Sequence, residues 1–321
     1  MALDEATVTL LAQLASTGTG PLHELTPAEA RGAAAALRGQ AGPGPEMARV
    51  QNARARSAGG SIPVRLLVPH ERPAGVIVYY HGGGWVLGSI ADSDLLGREL
   101  AQATGCAVVL AGYRLAPEYR YPTAVLDAQA ALRWAADRLV DIAGGPVPLI
   151  VAGDSAGGNL AAVVALLARA GGPPIAAQVL VYPVTDCDFS TTSYTDPANQ
   201  LLLDAESMAW FWDHYAPDEA ARLHPDASPL RAPVLSGLPP AIVVTAEHDV
   251  LRDEGELYAT RLIKARVPVQ HRRFPGQMHG FFTMTGMLPG SADALEFVAA
   301  ALEQQLGTAR PPRPAMADSA R

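Results

Sequence analysis

Three runs in this sequence are almost continuously apolar: residues 75–80 (Gly-Val-Ile-Val-Tyr-Tyr), 148–152 (Pro-Leu-Ile-Val-Ala) and 241–246 (Ala-Ile-Val-Val-Thr-Ala). A strand with one wet face alternates apolar and polar side chains, whereas a strand covered on both faces does not. Further β-branched runs lie at 62–68, 106–112, 177–182 and 268–274. Alanine-rich helical stretches at 93–104, 123–139, 156–169, 251–265 and 291–306 fall between the strands. This alternation predicts an α/β protein whose open, mostly parallel central sheet is flanked by helices. With 321 residues, 49% hydrophobic and only 17% charged, the chain has ample material for such a core.

Three segments stand outside the alternation. Residues 4–16 carry Val8, Leu10, Leu11 and Leu14 at helical spacing, and Thr26-Pro27-Ala28-Glu29 reads as a capping box opening a helix that runs to about residue 38. Glycine and proline at 39–45 then mark a linker. Almost sixty residues separate the strand ending at Tyr182 from the one starting at Ala241, and a connection that long is commonly functional. It holds a helical stretch, 204–213, with Trp210, Phe211 and Trp212 in succession. Three adjacent aromatics encircle a helix, which predicts burial on more than one side or a lid over a pocket. Residues 308–321 read as a disordered tail.

Composition removes several classes of function. The formal net charge is −8, which offers no electrostatic footprint for nucleic acid or an anionic membrane. The acidic opening Met1-Ala2-Leu3-Asp4-Glu5 is unlike a signal peptide, and no apolar run approaches the roughly 20 residues that span a bilayer, so a cytoplasmic protein is expected. Cys106 and Cys187 are too few for a disulfide framework or a four-ligand zinc site, so the fold is not expected to lean on either.

The strongest chemical signal is Gly153-Asp154-Ser155-Ala156-Gly157-Gly158, between the strand 148–152 and the helix 156–169. It has the G-x-S-x-G form of a nucleophile elbow in the strand–turn–helix context that form requires. The chain must reverse within one or two residues, so Gly153 and Gly157 approach each other and a neighbouring strand, while Ser155 is held strained at the apex. A second glycine cluster, His81-Gly82-Gly83-Gly84-Trp85, follows the strand 75–80 and suits an oxyanion loop. The expected donors are the N–H groups of Gly83, Gly84 and Ala156. The Walker pattern and the dinucleotide fingerprint are both missing, which disfavours a phosphate cradle. His81 reads as a strut for the loop.

Of eight histidines, His279 follows the last strand, at the carboxyl end where open α/β sheets place their ligands. Asp249 stands at the end of the strand 241–246 and can orient an imidazole. Asp253 and Glu254 fall in the first turn of the next helix, where the helix dipole favours acids. The order Ser155, Asp249, His279 is that of a serine hydrolase triad on this type of sheet. Trp85, Tyr182, Trp210 and Phe281 are candidates for a substrate pocket, with ordinary packing as the alternative for each.

Taken together, these stretches, with Tyr113-Arg114-Leu115-Ala116-Pro117-Glu118, Asp249 to Gly255 and His279-Gly280-Phe281, resemble the hormone-sensitive-lipase-like α/β-hydrolases, in the branch bearing Gly-Asp-Ser-Ala-Gly. Val250 departs from the proline common after the acid in that family. The resemblance implies an α/β-hydrolase fold with a helical cap in two parts, residues 1–45 and 185–225. The core is then 46–184 and 226–307. It also implies a serine esterase with Ser155, Asp249 and His279 as triad, acting on short- to medium-chain esters without metal or organic cofactor. Arg114 and Glu118 are expected to hold a loop through an ion pair or backbone hydrogen bonds. Amide hydrolysis and acyl transfer use the same groups and stay open. A non-catalytic small-molecule receptor is the remaining alternative, disfavoured because serine, acid, base and oxyanion loop are all present. The expected partner is a small-molecule ester, with a homodimer left open.

Overall fold

The structure, a computed structural model, describes residues 2–16, 20–37 and 42–307. The tail 308–321, and part of the expected linker, lie outside the described residues. Eight strands form one sheet: β1 (Arg49–Ser57), β2 (Gly60–Val68), β3 (Val76–Tyr80), β4 (Ala107–Ala111), β5 (Leu149–Asp154), β6 (Ala177–Val181), β7 (Ala241–His248) and β8 (Val269–Met278). Their order across the sheet is β1-β2-β4-β3-β5-β6-β7-β8. From β4 to β8 every neighbouring pair is parallel, and β2 runs antiparallel to both β1 and β4.

The three apolar runs became β3, β5 and β7, buried along nearly their whole length. Helices cover one face at Thr123–Ala136, Ala156–Ala168 and Arg252–Lys264, and the other at Asp94–Thr104 and Pro289–Leu306. Each face therefore has its own core: Val78, Val109, Val151 and Leu160 pack on one side, and Ile77, Val108, Ile150 and Val298 on the other. Successive residues of one strand enter opposite cores, as period-2 side-chain alternation demands.

β1 was not expected. Its sequence, Arg-Val-Gln-Asn-Ala-Arg-Ala-Arg-Ser, lacks bulky alternation because most of it is exposed at the sheet edge. It forms by pairing with β2 through a tight hairpin in which Ser57 faces Gly60. The helix expected over 123–139 ends at Ala136, and a separate helix follows at Leu139–Ala143. The N-terminal helices fall at Glu5–Ser16 and Pro27–Leu37. The capping box forms, with Glu29 Oε2 accepting from Thr26 N at 2.9 Å and Thr26 Oγ1 from Glu29 N at 3.3 Å.

Between β6 and β7 the chain makes helices at Thr192–Thr195, Ala205–Tyr215 and Glu219–Arg222. In the helix Ala205–Tyr215 both Phe211 and Trp212 are buried while Trp210 is partly exposed, so the aromatics are enclosed on more than one side. This helix meets the N-terminal region through a contact of His23 Nε2 with Glu206 Oε2, 3.0 Å.

Strand order reverses at β3, since β4 lies on one side of it and β5 on the other. Ligand crevices form at such a reversal, outside the carboxyl ends of the strands. The loops leaving β3 and β5 here are His81-Gly82-Gly83-Gly84 and the turn at Ser155.

Candidate active site

Ser155 joins β5 to the helix Ala156–Ala168 with φ 55° and ψ −120°, a backbone conformation that L side chains rarely adopt. Three backbone hydrogen bonds hold it there. Ser155 N donates to Val181 O at 2.9 Å, and Ser155 O accepts from Asn159 N and Val184 N at 3.0 and 3.2 Å. The turn closes because two positions lack a Cβ: one at Gly153 would strike the Gly157 backbone, and one at Gly157 would strike Tyr80 O. The tight approach expected from the sequence is therefore present.

His279 immediately follows β8, and its Nε2 lies 3.1 Å from Ser155 Oγ. Its Nδ1 lies 2.8 Å from Asp249 Oδ2, and Asp249 is fully buried beyond the end of β7. Asp249 Oδ1 accepts from Leu251 N at 2.9 Å, which fixes the carboxylate plane. The rival acids are engaged elsewhere. Asp253 accepts from Ser193 N at 2.8 Å and pairs with Arg252, while Glu247 accepts from Gly276 N at 2.8 Å. Three side chains from three strand ends thus form one continuous line of hydrogen bonds.

The glycine loop lies beside this line. Asp154, next to the serine, accepts from Gly82 N at 3.0 Å and Tyr79 Oη at 2.6 Å, tying the loop's start to the serine turn. Burial pushes the Asp154 carboxyl upward, and these donors oppose that shift without cancelling it. His81 behaves as a strut. Its Nδ1 donates to Gly82 O at 2.8 Å, its ring stacks on Tyr113 at 4.3 Å, and burial depresses its basicity. Tyr113 Oη donates to His81 O at 2.8 Å. Beyond the glycines, Val86 N and Leu87 N both donate to Gly83 O, forming a tight turn. Among the described residues no protein group accepts from Gly83 N or Gly84 N. With Ala156 N in the first turn of its helix, these are the donors free for an anion.

A profile of the α/β-hydrolase fold matches residues 77–283. The chain belongs to the α/β-hydrolases, in the hormone-sensitive-lipase-like branch. It is similar to a carboxylesterase, NlhH, of Mycobacterium tuberculosis, at 42% identity over 251 residues, which is 76% of this chain and 79% of that protein. It is also similar to an ethyl acetate hydrolase of Pseudomonas putida, at 39% identity over 254 residues, 77% of this chain and 80% of the relative. A hyperthermophilic esterase from the archaeon Pyrobaculum calidifontis superposes with a TM-score of 0.88 at 37% identity, covering 95% of this chain and 99% of that one.

Three of the four pocket candidates of this α/β-hydrolase are occupied in packing. Trp85 is fully buried, stacked on Tyr215 at 4.1 Å and tilted against Trp212 at 4.8 Å. Such an aromatic contact adds about 1 kcal/mol beyond area burial and here joins the glycine loop to the helix Ala205–Tyr215. Tyr182 lies against the His279 ring, centroids 4.5 Å apart, with Phe281 behind it at 5.9 Å. Tyr182 packs on the imidazole and Phe281 backs Tyr182, and both are buried. Trp210 alone of the four stays partly exposed, edge-on to Phe211 and His214. Phe211 lies against Gly84 of the glycine loop: a Cβ added at Gly84 would collide with its ring. Its succession with Trp210 and Trp212 was visible in the sequence, but which of the three faces the loop was not.

Arg114 and Glu118 do not pair with each other. Arg114 grips the fully buried Asp127, Nε to Oδ2 at 2.9 Å and Nη2 to Oδ1 at 2.7 Å, and also donates its own backbone N–H to Oδ2. Removing one partner of so buried a pair costs about 3–5 kcal/mol. Glu118 instead meets Arg31, from the helix Pro27–Leu37. Sequence reasoning passed over Arg31, although it is the sole cation of its alanine-rich helix.

Proposed function

We propose that this chain is a serine carboxylic-ester hydrolase acting on short- to medium-chain acyl esters through an acyl-enzyme. The observation that carries the reading is the line Ser155 Oγ, His279 Nε2, His279 Nδ1, Asp249 Oδ2, with links of 3.1 and 2.8 Å, ending beside uncommitted backbone N–H groups. His279 Nε2 takes the proton of Ser155 Oγ as the oxygen attacks the ester carbonyl. The resulting oxyanion accepts hydrogen bonds from Gly83, Gly84 and Ala156 N–H. Losing one such donor costs about 10²–10³ in rate in comparable sites. Asp249 holds the imidazole in the tautomer with its proton on Nδ1 and stabilises the imidazolium. His279 then gives its proton to the departing alkoxide, leaving an acyl group on Ser155. Water, deprotonated by the same nitrogen, attacks the acyl carbon, and the acid leaves as Ser155 recovers its proton.

The similarity to a carboxylesterase and an ethyl acetate hydrolase supports this substrate class. In the same reading residues 1–45 and 185–225 act together as a cap, joined through His23 and Glu206. The acyl chain lies under the helix Ala205–Tyr215, with Phe211 and Trp210 nearest. A fluorophosphonate probe tests the proposal: it is expected to label the wild type and not Ser155→Ala. The same variant is expected to lose about 10⁴-fold or more in turnover of p-nitrophenyl butyrate with its fold intact. Wild-type protein that neither reacts with the probe nor cleaves the ester would overturn the reading.

A further inference from the structure

We propose that Arg31 is a positioning residue for this reaction: from the N-terminal helix its guanidinium fixes the far end of the glycine loop that carries the Gly83 and Gly84 donors. The inference rests on the ester-hydrolase reading above and adds a residue to it.

The loop is fastened at its near end by Asp154 and Tyr113, at Gly82 N and His81 O. Its far end, the turn from Gly83 to Leu87, is held from outside the loop by Arg31. Arg31 Nε donates to Val86 O at 2.9 Å. Nη2 donates to Ala116 O at 2.7 Å, and Ala116 N in turn donates to Trp85 O at 2.9 Å. The remaining contacts form a two-pronged pair with Glu118, at 2.8 and 2.7 Å. Four of the five guanidinium N–H groups are thus used, on three acceptor groups in fixed directions. Lysine, with three donors around one point, cannot reproduce that fork.

The division of labour follows from exposure. The Glu118 side chain is 55% exposed and Arg31 30%, and an ion pair so open to water contributes little by itself. The two carbonyls are the ends that reach the loop. In this arrangement Glu118 only occupies the outer side of the guanidinium, and the two carbonyl bonds set where Val86, and with it Gly83 and Gly84, stand relative to Ser155. Oxyanion donors act only when preorganised, and small misplacements of reacting groups cost up to about 10²-fold.

The experiment compares wild type, Arg31→Lys and Glu118→Gln. Each is measured for kcat and KM on p-nitrophenyl butyrate, for Tm, and for amide hydrogen exchange in peptides covering residues 81–90. Arg31→Lys is expected to lower kcat about tenfold with KM within about twofold, and to speed exchange over 81–90. Glu118→Gln leaves both carbonyl contacts in place, so kcat is expected within about twofold of wild type even where Tm falls. Wild-type exchange over 81–90 in Arg31→Lys would overturn the proposal. So would equal loss of kcat in both variants in step with Tm, since the pair would then be only a structural tie. The exchange measurement needs no turnover. Faster exchange in a protein that cleaves no ester would leave the brace standing and remove the esterase reading.

Discussion

Glu247, Asp249 and Asp253 crowd one short stretch after β7, and composition alone gives no reason to prefer one. Backbone geometry separates them. Asp249 sits where the strand has ended and the helix has not begun, so its carboxylate can turn toward the neighbouring strand end and meet His279 Nδ1 at 2.8 Å. Asp253, already in the helix, is held by Ser193 N and Arg252. Asp249→Asn is therefore expected to cut kcat by up to about 10⁴-fold, because an amide favours the wrong imidazole tautomer. Asp253→Asn is expected to stay within about tenfold. Steady-state kinetics on the two purified variants checks this, and the reverse ranking would show that Asp253 is the acid. The three side chains that meet here were legible in the sequence because each stands at a strand end with a local signature: a strained turn, an acid before a helix, a histidine after the last strand. Arg31 and Glu118 were not legible as partners. They lie 87 residues apart, and nothing in a helix of alanines announces which loop its arginine will reach.

The helix Arg252–Lys264 does more than cover the sheet. Its first turn carries Glu254, which is buried and accepts from Thr185 N at 2.6 Å and Asp186 N at 3.2 Å. Thr185 Oγ1 also donates to Glu254 O at 2.9 Å. The start of the β6–β7 connection is thereby pinned next to Asp249. Burial raises the Glu254 carboxyl well above its usual range, against the pull of those two N–H groups. A carboxyl raised on folding contributes stability that is complete below its unfolded pKa, about 4.3, and is lost as pH rises through the folded value. Glu254→Gln has no such proton to lose. The Tm of the variant relative to wild type should therefore climb as pH increases from 4 to 8, and a pH-independent difference would mean that Glu254 does not titrate in this range. The sequence showed an acidic first turn and its dipole logic, but not that one acid points inward. For elements the limit of legibility was burial. β3, β5 and β7 were plain because both faces are covered, whereas β1 has mostly wet side chains and exists through its hairpin with β2.

Across the whole molecule, the proposed reading places the acyl chain between the sheet's carboxyl edge and a cap whose contacts include His23–Glu206 and Arg31–Glu118. A finite space gains about 0.8 kcal/mol per buried methylene until it is full, and nothing afterwards. Specificity, read as kcat/KM over p-nitrophenyl esters from two to sixteen carbons, is expected to peak near four to eight and then decline. A steady rise to sixteen would show an open trough in place of a cap. The sheet order has a further consequence, which concerns time. Ser155 and His279 are separated by 124 residues, and β6, β7 and β8 must all be in place before their atoms can meet. At ribosomal rates of about 5–20 residues per second, roughly 6–25 s pass between synthesis of the serine and synthesis of its base. During that interval the nascent chain carries an ordinary alcohol. In the proposed reading the hydroxyl becomes reactive only as the last strand docks, so a chain that stalls or misfolds short of β8 stays chemically silent.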